Sequence, residues 1–286
     1  MEPEKEHWDI IIKPKTEKFS LNYKEIWKYR DLVKMYIRRD IVTQYKQTVL
    51  GPIWYVIQPL FTSLMYFVVF GGIANISTDG LPHILFYMSG LLCWNYFSEC
   101  MAKGSGTFAG NAGVFSKVYF PRLVVPLSGA ISGLLRFGIQ FALFIGIYIY
   151  YYIQGAPIHP NGTVLLFPLL AMMSALMGLG FGIIISSITI KYRDLAILFG
   201  FVTYLWMYAT PIIYPLSAIP NKVKSFKWIV ELNPMTSIVE TMRYSFMGEG
   251  AFSWAALCYS FVVTILVVIV GSWIFNKMER NFIDVV

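Results

Sequence analysis

The chain has 286 residues, of which 57% are apolar and only 14% are charged. A soluble domain of this size carries about a quarter charged residues and somewhat under half apolar ones. The composition, with a mean hydropathy of +0.59, therefore excludes an ordinary soluble domain and indicates that lipid covers much of the surface. The net charge is +7. In a membrane protein such an excess of basic residues indicates which loops are cytoplasmic, so no nucleic acid is expected as a partner.

The segment before the first long apolar stretch predicts an amphipathic helix. Asn22 and Glu25 have the spacing of a helix N-cap with a reciprocal acidic residue. Apolar residues then recur every three or four positions, at Ile26, Tyr29, Val33, Ile37, Ile41 and Tyr45. Such a helix is expected to lie along the cytoplasmic membrane surface. Periodicity alone favours a lipid anchor over a protein-docking role.

Six apolar stretches are long enough to cross a bilayer, which needs about 20 residues in a helix. They cover residues 53–74, 82–99, 123–152, 164–189, 195–214 and 254–275. They lack the short alternating pattern of barrel strands, so helices are expected. The sequence predicts an all-α membrane protein with two parts, a cytoplasmic N-terminal segment (1–50) and a six-helix transmembrane domain (51–286).

The distribution of basic residues predicts the orientation of these spans. With the N-terminus in the cytoplasm, eighteen Lys and Arg residues lie on the cytoplasmic side and four on the other. Cytoplasmic loops carry the excess of Lys and Arg in membrane proteins. A multi-pass protein with both termini in the cytoplasm is therefore expected.

The connection between the fifth and sixth spans has helical patterns of its own. Residues 221–232 and 235–247 have apolar side chains at helical spacing, separated by Asn233-Pro234. Proline cannot continue the first helix but suits the first turn of the second. We expect two short external helices here, interfacial or re-entrant, and they hold the four basic residues that break the charge rule.

Chemistry-bearing motifs of enzymes do not occur in the sequence. There is no Gly-Lys dipeptide, so a phosphate-binding P-loop is excluded, and no H-E-x-x-H or G-x-S-x-G is present. The glycine-rich run from Gly104 to Gly110 is interpreted as a flexible turn. We expect no catalytic residue, no metal ligand and no cofactor in this chain. The energy for any transport must therefore be supplied by another chain or by an ion gradient.

Two ionisable residues, Glu99 and Arg136, fall within or beside predicted spans. Charged residues at membrane depth usually have a function. Arg136 facing a polar lumen and Arg136 paired with a carboxylate or carbonyl for structure are both open. One arginine without an intramembrane aspartate is thin support for ion coupling, so a separate ATPase is favoured.

Four motifs in order along the chain resemble one family. They are the run from Arg39 to Trp54 with Gln58-Pro-Leu60, then Lys117-Val-Tyr-Phe-Pro-Arg122, Lys191-Tyr-Arg-Asp194, and Asn233-Pro-Met followed by Glu240 and Arg243. Together they resemble the permeases of type-2 ABC exporters that move O-antigen, capsule or teichoic acid chains. The resemblance covers residues 39–243, which is most of the chain.

The resemblance implies a homodimer in the bacterial cytoplasmic (inner) membrane, with membrane lipid and a lipid-linked polysaccharide as further partners. ATP and Mg would be bound by a separate nucleotide-binding subunit. The surface that receives this subunit would include the amphipathic helix, the 104–122 connection and the 191–194 turn. The implied coupling residues are Tyr29, Val33, Ile37, Tyr45, Lys46, Phe115, Lys117, Phe120, Pro121, Arg122, Tyr192, Arg193 and Asp194.

Aromatic residues make up 17% of the chain, which suits a pathway for sugars but also the interfacial belts of any membrane protein. The expected transport-pathway residues are Trp54, Tyr55, Tyr66, Tyr87, Trp94 and Arg136. Asn233, Pro234, Glu240 and Arg243 belong to the external helices. The motif Phe120-Pro121-Arg122 favours polymer export over the alternative of a drug or small lipid exporter. A membrane-embedded transferase and a passive channel are alternatives from other classes.

Overall fold

The computed structural model describes residues 23–46, 51–192, 194–219 and 227–285, which are helical with connecting turns and contain no strand in those ranges. Asn221 to Phe226 and Arg193, which were predicted to belong to an external helix and to the coupling surface, lie outside the described residues. The helices are α1 Tyr23–Lys28, α2 Arg30–Tyr45, α3 Trp54–Tyr66, α4 His83–Ser105, α5 Thr107–Phe115, α6 Val124–Ile153, α7 Phe167–Thr189, α8 Leu195–Tyr208, α9 Lys227–Leu232, α10 Pro234–Met247 and α11 Trp254–Val285.

Four helical stretches among the described residues are long and apolar enough to cross a membrane. They are Gly51–Ile73, Val124–Ile153, Gly162–Thr189 and Trp254–Glu279. The first consists of a 3₁₀ turn, α3 and a π-helical turn at Phe67–Ile73. These four agree closely with predicted spans because a helix that faces lipid needs a continuous apolar run.

The second predicted span is longer than expected and occupies the centre of the bundle. It was predicted for residues 82–99, whereas α4 continues to Ser105. The helix packs against α3, α6, α7 and α10, and most of its side chains are buried. A helix that other helices surround does not need an apolar surface, so Glu99 and Lys103 are accommodated near its end.

Close packing of α4 on α7 depends on glycines. A Cβ at Gly178 would lie 2.2 Å from the Phe97 carbonyl oxygen, and one at Gly182 would lie 2.6 Å from that of Met101. Small residues of this kind let helix backbones approach each other in membrane proteins. Gly104 takes part in this contact, since it lies in α4 against Gly182. The turn that was predicted for 104–110 is limited to Gly106, between the end of α4 and the start of α5, and the other residues of the run are helical.

The fifth predicted span is shorter than expected. It was predicted for 195–214, but α8 ends at Tyr208 after 14 residues, which is about 21 Å at 1.5 Å per residue. Pro211 follows, and a proline disfavours the helical conformation of the residue before it. Turns over residues 209–214 replace the last part of the predicted helix.

The segment after α8 folds back into the bundle. Asn233 caps α10, because its side-chain oxygen accepts a hydrogen bond from the Met235 amide at 3.0 Å. The same oxygen accepts from the indole N–H of Trp206 at 3.0 Å, and the Asn233 amide donates to the Thr210 hydroxyl at 2.8 Å. Asn233 therefore fixes the start of α10 to the end of α8. Most of α10 is buried against α4, α7 and α11.

Candidate functional site

The N-terminal helix α2 packs on the body of the protein. Val33 and Tyr36 are buried, and α2 contacts α6. Part of the apolar stripe that was predicted to face lipid therefore faces protein. Met35 in α2 is 61% exposed, and Trp27 in the preceding α1 is 71% exposed. The side chain of Tyr45 lies outside the described residues.

A row of aromatic rings connects α2 with α11, which we call the aromatic chain: Tyr36, Phe120, Phe115, Phe108 and Phe275. Successive ring centroids are 6.2, 5.6, 6.1 and 4.5 Å apart. It passes from the N-terminal helix through the α5–α6 connection and α5 to the last helix. Interlocking buried rings of this kind hold elements in fixed relation, so the connection is a rigid part of the fold.

Arg122 reinforces this connection. Its guanidinium lies 5.4 Å above the Phe115 ring and donates a hydrogen bond of 2.9 Å to the Glu279 carbonyl oxygen in α11. Burial lowers the pKa of Arg122, and the nearby Glu279 opposes that shift. Arg122 therefore ties the segment between α5 and α6 to the end of α11.

The predicted coupling residues separate into two groups. Val33, Phe115, Phe120 and Arg122 are buried, and Tyr29, Ile37 and Pro121 are partly buried, so these side chains support the surface. Lys46, Lys117, Tyr192 and Asp194 are exposed. Sequence reasoning missed the two most exposed apolar residues of the connection, Val118 at 57% and Tyr119 at 76%. Their position inside the Lys117–Arg122 motif was the available signal.

A cavity of about 690 Å³ lies between α3, α4, α6, α7 and α8. Hydroxyl, amide and charged groups line one part of it, and small or apolar residues line the rest. Cavities of several hundred Å³ accommodate small ligands or single units of larger ones. The polar residues around it are Gln58, Asn95, Ser98, Glu99, Ser105, Arg136, Thr189 and Thr203.

Arg136 lies in the wall of this cavity and is also paired. Its Nη2 donates to the Gln58 side-chain oxygen at 2.8 Å, and its Nη1 lies 3.8 Å from a Glu99 oxygen. The guanidinium also lies 4.9 Å from the centre of the Tyr55 ring. The two alternatives that the sequence left open for Arg136, facing a polar space and pairing with another side chain, thus occur together.

The predicted pathway aromatics occupy different environments. Trp54 is 52% exposed, and Tyr66 is partly buried with its ring 5.9 Å from that of Tyr87. Tyr55, Tyr87 and Trp94 are buried. Trp94 packs within 5.1 Å of Phe97. Burial within the chain removes these three side chains from direct contact with a solute in the described arrangement.

An ion pair is buried in α10. Arg243 Nη1 lies 2.9 Å from Glu240 Oε1, with both side chains at most 4% exposed. Arg243 Nη2 donates to the Ile212 carbonyl at 2.8 Å, and the guanidinium lies 3.6 Å above the Phe86 ring. The second Glu240 oxygen accepts from the Ala251 amide at 2.9 Å. The pair therefore joins α10 to α4 and to the loops on both sides of it.

Comparison with known proteins gives the family of this chain. The family model described as ABC-2 type transporter matches residues 31–247. The chain is 28% identical over 255 residues to the O-antigen export system permease protein RfbA of Klebsiella pneumoniae, covering 89% of this chain and 95% of the relative. It is 26% identical to the protein of the same name from Myxococcus xanthus, over 91% and 97% of the two chains.

A further relative is the polysialic acid transport protein KpsM of Escherichia coli, which is 24% identical over 85% of this chain and 91% of its own. The matched family segment includes every ring of the aromatic chain except Phe275, together with the cavity and the buried α10 pair. With several long apolar helices, the chain is a multi-pass membrane protein. It belongs to the ABC-2 type transporter family.

Proposed function

We propose that this chain is the membrane-spanning permease subunit of an ATP-driven exporter of a lipid-linked polysaccharide, of the O-antigen, capsule or teichoic acid type. The observation that carries the proposal is the extent of similarity to two O-antigen export permease proteins and a polysialic acid transport protein, whose matches cover 85–91% of this chain. The subunit works as a homodimer in the bacterial inner membrane, with ATP hydrolysed by a separate nucleotide-binding chain.

The proposed topology has six crossings with both termini in the cytoplasm. The four apolar spans are supplemented by α4, whose surface is covered by protein, and by α8. α8 spans only about 21 Å of a hydrocarbon layer of about 30 Å, and buried residues of this chain at 210–213 continue from its C-terminal end. α3 and α8 expose large apolar side chains, such as Phe61, Ile197 and Phe201, which a second copy of the chain would cover in the proposed homodimer.

The proposed docking surface for the nucleotide-binding subunit consists of the exposed side chains of Lys117, Val118 and Tyr119, together with Lys191, Tyr192 and Asp194. Val118 and Tyr119 project from a segment that the aromatic chain and Arg122 hold rigidly. Coupling between two subunits needs rigid elements in contact with the moving partner. A displacement of this segment by the partner at Tyr119 would therefore be transmitted to both α2 and α11.

The proposed pathway follows the cavity wall that contains Arg136. Trp54 and Tyr66 are exposed or partly buried and are retained as contacts for sugar rings. Tyr55, Tyr87 and Trp94 are buried, so they would reach a polymer only after neighbouring helices separate.

The proposed function is tested by co-expressing the chain with an ATPase encoded beside it. We expect the two to co-purify, the glycan to stimulate ATP hydrolysis, and the undelivered glycan to accumulate inside cells depleted of the chain. Stimulation by small drugs and not by glycan would favour the drug-exporter alternative. Uphill glycan transport by the isolated chain in liposomes without nucleotide would contradict the proposal.

Replacing both Val118 and Tyr119 with serine is expected to weaken co-purification with the ATPase by about tenfold or more, because exposed aromatic anchors often dominate binding energy. The free energy of unfolding of the permease should change by less than about 0.5 kcal/mol, since both side chains are on the surface. The measurement is the ATPase retained per permease after washing.

The matched control is Phe120→Ala in the same segment. Because Phe120 is buried, this change should destabilise the permease itself by about 3–5 kcal/mol. Undiminished ATPase retention by the Val118 and Tyr119 double variant would show that the docking surface lies elsewhere.

A further inference from the structure

Two cations pair with a single carboxylate of the cavity wall, Glu99. Lys103 lies 3.1 Å from Glu99 Oε1 in α4, and Arg136 lies 3.8 Å from Glu99 Oε2. One carboxylate thus serves two cations. Lys103 is fully engaged, since its ammonium also donates to the Ser132 hydroxyl at 2.9 Å and the Gly129 carbonyl at 3.3 Å.

Arg136 keeps unused hydrogen-bond donors at this position. The 3.8 Å from its Nη1 to Glu99 is longer than a hydrogen bond. Its Nε is buried without a hydrogen-bond acceptor among the residues that the structure describes. Of its three nitrogens, Nη2 is bonded to Gln58. A guanidinium has five N–H donors, so the two on Nη1 and the second one on Nη2 remain for a group in the cavity.

We propose that the cavity binds an oxyanion of the exported molecule, a phosphate or a carboxylate, at Arg136. The inference rests on the proposed function and adds which chemical group of the cargo the permease recognises. A guanidinium pairs with both oxyanions through parallel N–H donors, and the net positive charge of the cluster disfavours cations. Hydroxyl and amide groups at Asn95, Ser98 and Thr203 suit the sugar attached to the anion.

Two sources could supply this oxyanion, and matched probes distinguish them. Farnesyl phosphate represents a phosphate on a lipid carrier, and farnesol is its neutral match. Trigalacturonate represents an acidic sugar, and its methyl ester is its neutral match. Equilibrium binding of each labelled probe is measured on the full-length protein in nanodiscs, with the partner ATPase bound.

We expect at least one anionic probe to bind about tenfold or more tightly than its neutral match, and Arg136→Gln to remove that preference. The size follows from the strength of a charge-assisted hydrogen bond. Lys227→Gln is the matched control. It also removes one positive charge, but from an exposed pair on α9, and binding should remain unchanged.

A purely structural Arg136 is separated from a binding Arg136 by two further variants. Glu99→Gln removes the competing carboxylate, so anion binding should strengthen about three- to tenfold. Gln58→Glu retains the arginine and places a carboxylate at the Nη2 donor that Gln58 occupies, which neutralises the charge of the guanidinium, so anion binding should be lost. If Arg136 only ties α6 to α3 and α4, neither variant would change the anion preference, and the proposal would be overturned.

Equal binding of anionic and neutral probes by the unaltered protein would also overturn the inference. The same preparation reports whether the ATPase co-purifies and responds to glycan. Failure of the anion preference with intact coupling would therefore reject the Arg136 site alone, whereas loss of coupling would reject the proposed function.

Discussion

Replacing Arg243 with methionine while Glu240 is kept is expected to destabilise the protein by about 3–5 kcal/mol. The substitution leaves a buried carboxylate without its cation and removes the donor that satisfies the Ile212 carbonyl. The contact of the guanidinium with the Phe86 ring is lost as well. Thermal unfolding of the purified protein measures the change, and a fall of roughly 10 °C in the midpoint is expected.

Two comparisons identify the buried charge as the cause. Lys34→Met leaves Asp31 without its partner in an exposed pair, and pairs of that kind contribute at most about 1 kcal/mol. Adding Glu240→Gln to Arg243→Met removes the unneutralised charge and should recover part of the stability. An Arg243→Met protein that unfolds at the temperature of the unaltered chain would contradict this account of α10.

Replacing Gly178 with alanine is the second change with a large expected effect. The new Cβ would lie 2.2 Å from the Phe97 carbonyl oxygen and 2.9 Å from the Cys100 Cβ, so α4 and α7 must move apart. Overpacking of this kind costs about 1–3 kcal/mol, and here it involves backbone that cannot rotate away. We expect a lower thermal midpoint and a smaller monodisperse fraction after extraction from membranes.

Gly146→Ala in α6 is the matched control, because nothing lies within 4 Å of a Cβ at that position. Alanine is the better helix former by about 1 kcal/mol, so this variant should be as stable as the parent or slightly more so. If Gly178→Ala behaved like Gly146→Ala, the close contact of α4 with α7 would not be present in the membrane.

Where lipid determines a helix, the sequence predicts it well. The predicted 123–152 and the observed Val124–Ile153 differ by one residue at each end. α4 is surrounded by other helices and not by lipid, so it extends beyond its apolar run. Hydropathy therefore predicted a span that is shorter than the observed helix. Pro211 was a sequence signal for the early end of α8. The sequence remains apolar past Tyr208, however, so hydropathy alone predicted a longer helix.

The site was predictable only in parts. Glu99 and Arg136 were identifiable because charges at membrane depth are rare, but Gln58 is 78 positions from Arg136 and no spacing rule connects them. The apolar spacing of residues 235–247 predicted an interfacial or re-entrant helix, and its burial was not predicted. Glu240 and Arg243 neutralise each other three residues apart and let the helix be buried. Short motifs indicated which residues matter, and tertiary packing decided which of them are exposed.

The burial of α10 has a consequence for biogenesis. An isolated arginine at the centre of a helix costs about 2.5–3.5 kcal/mol when that helix enters the bilayer from the insertion machinery, and α10 has only 14 residues. α10 is too short and too polar to insert into the bilayer independently. Its contacts are with α4 and α7, which precede it in the chain, and with α11, which follows it. Maturation must therefore be completed after α11 has been synthesised, and polypeptides truncated before α11 should remain immature and be degraded.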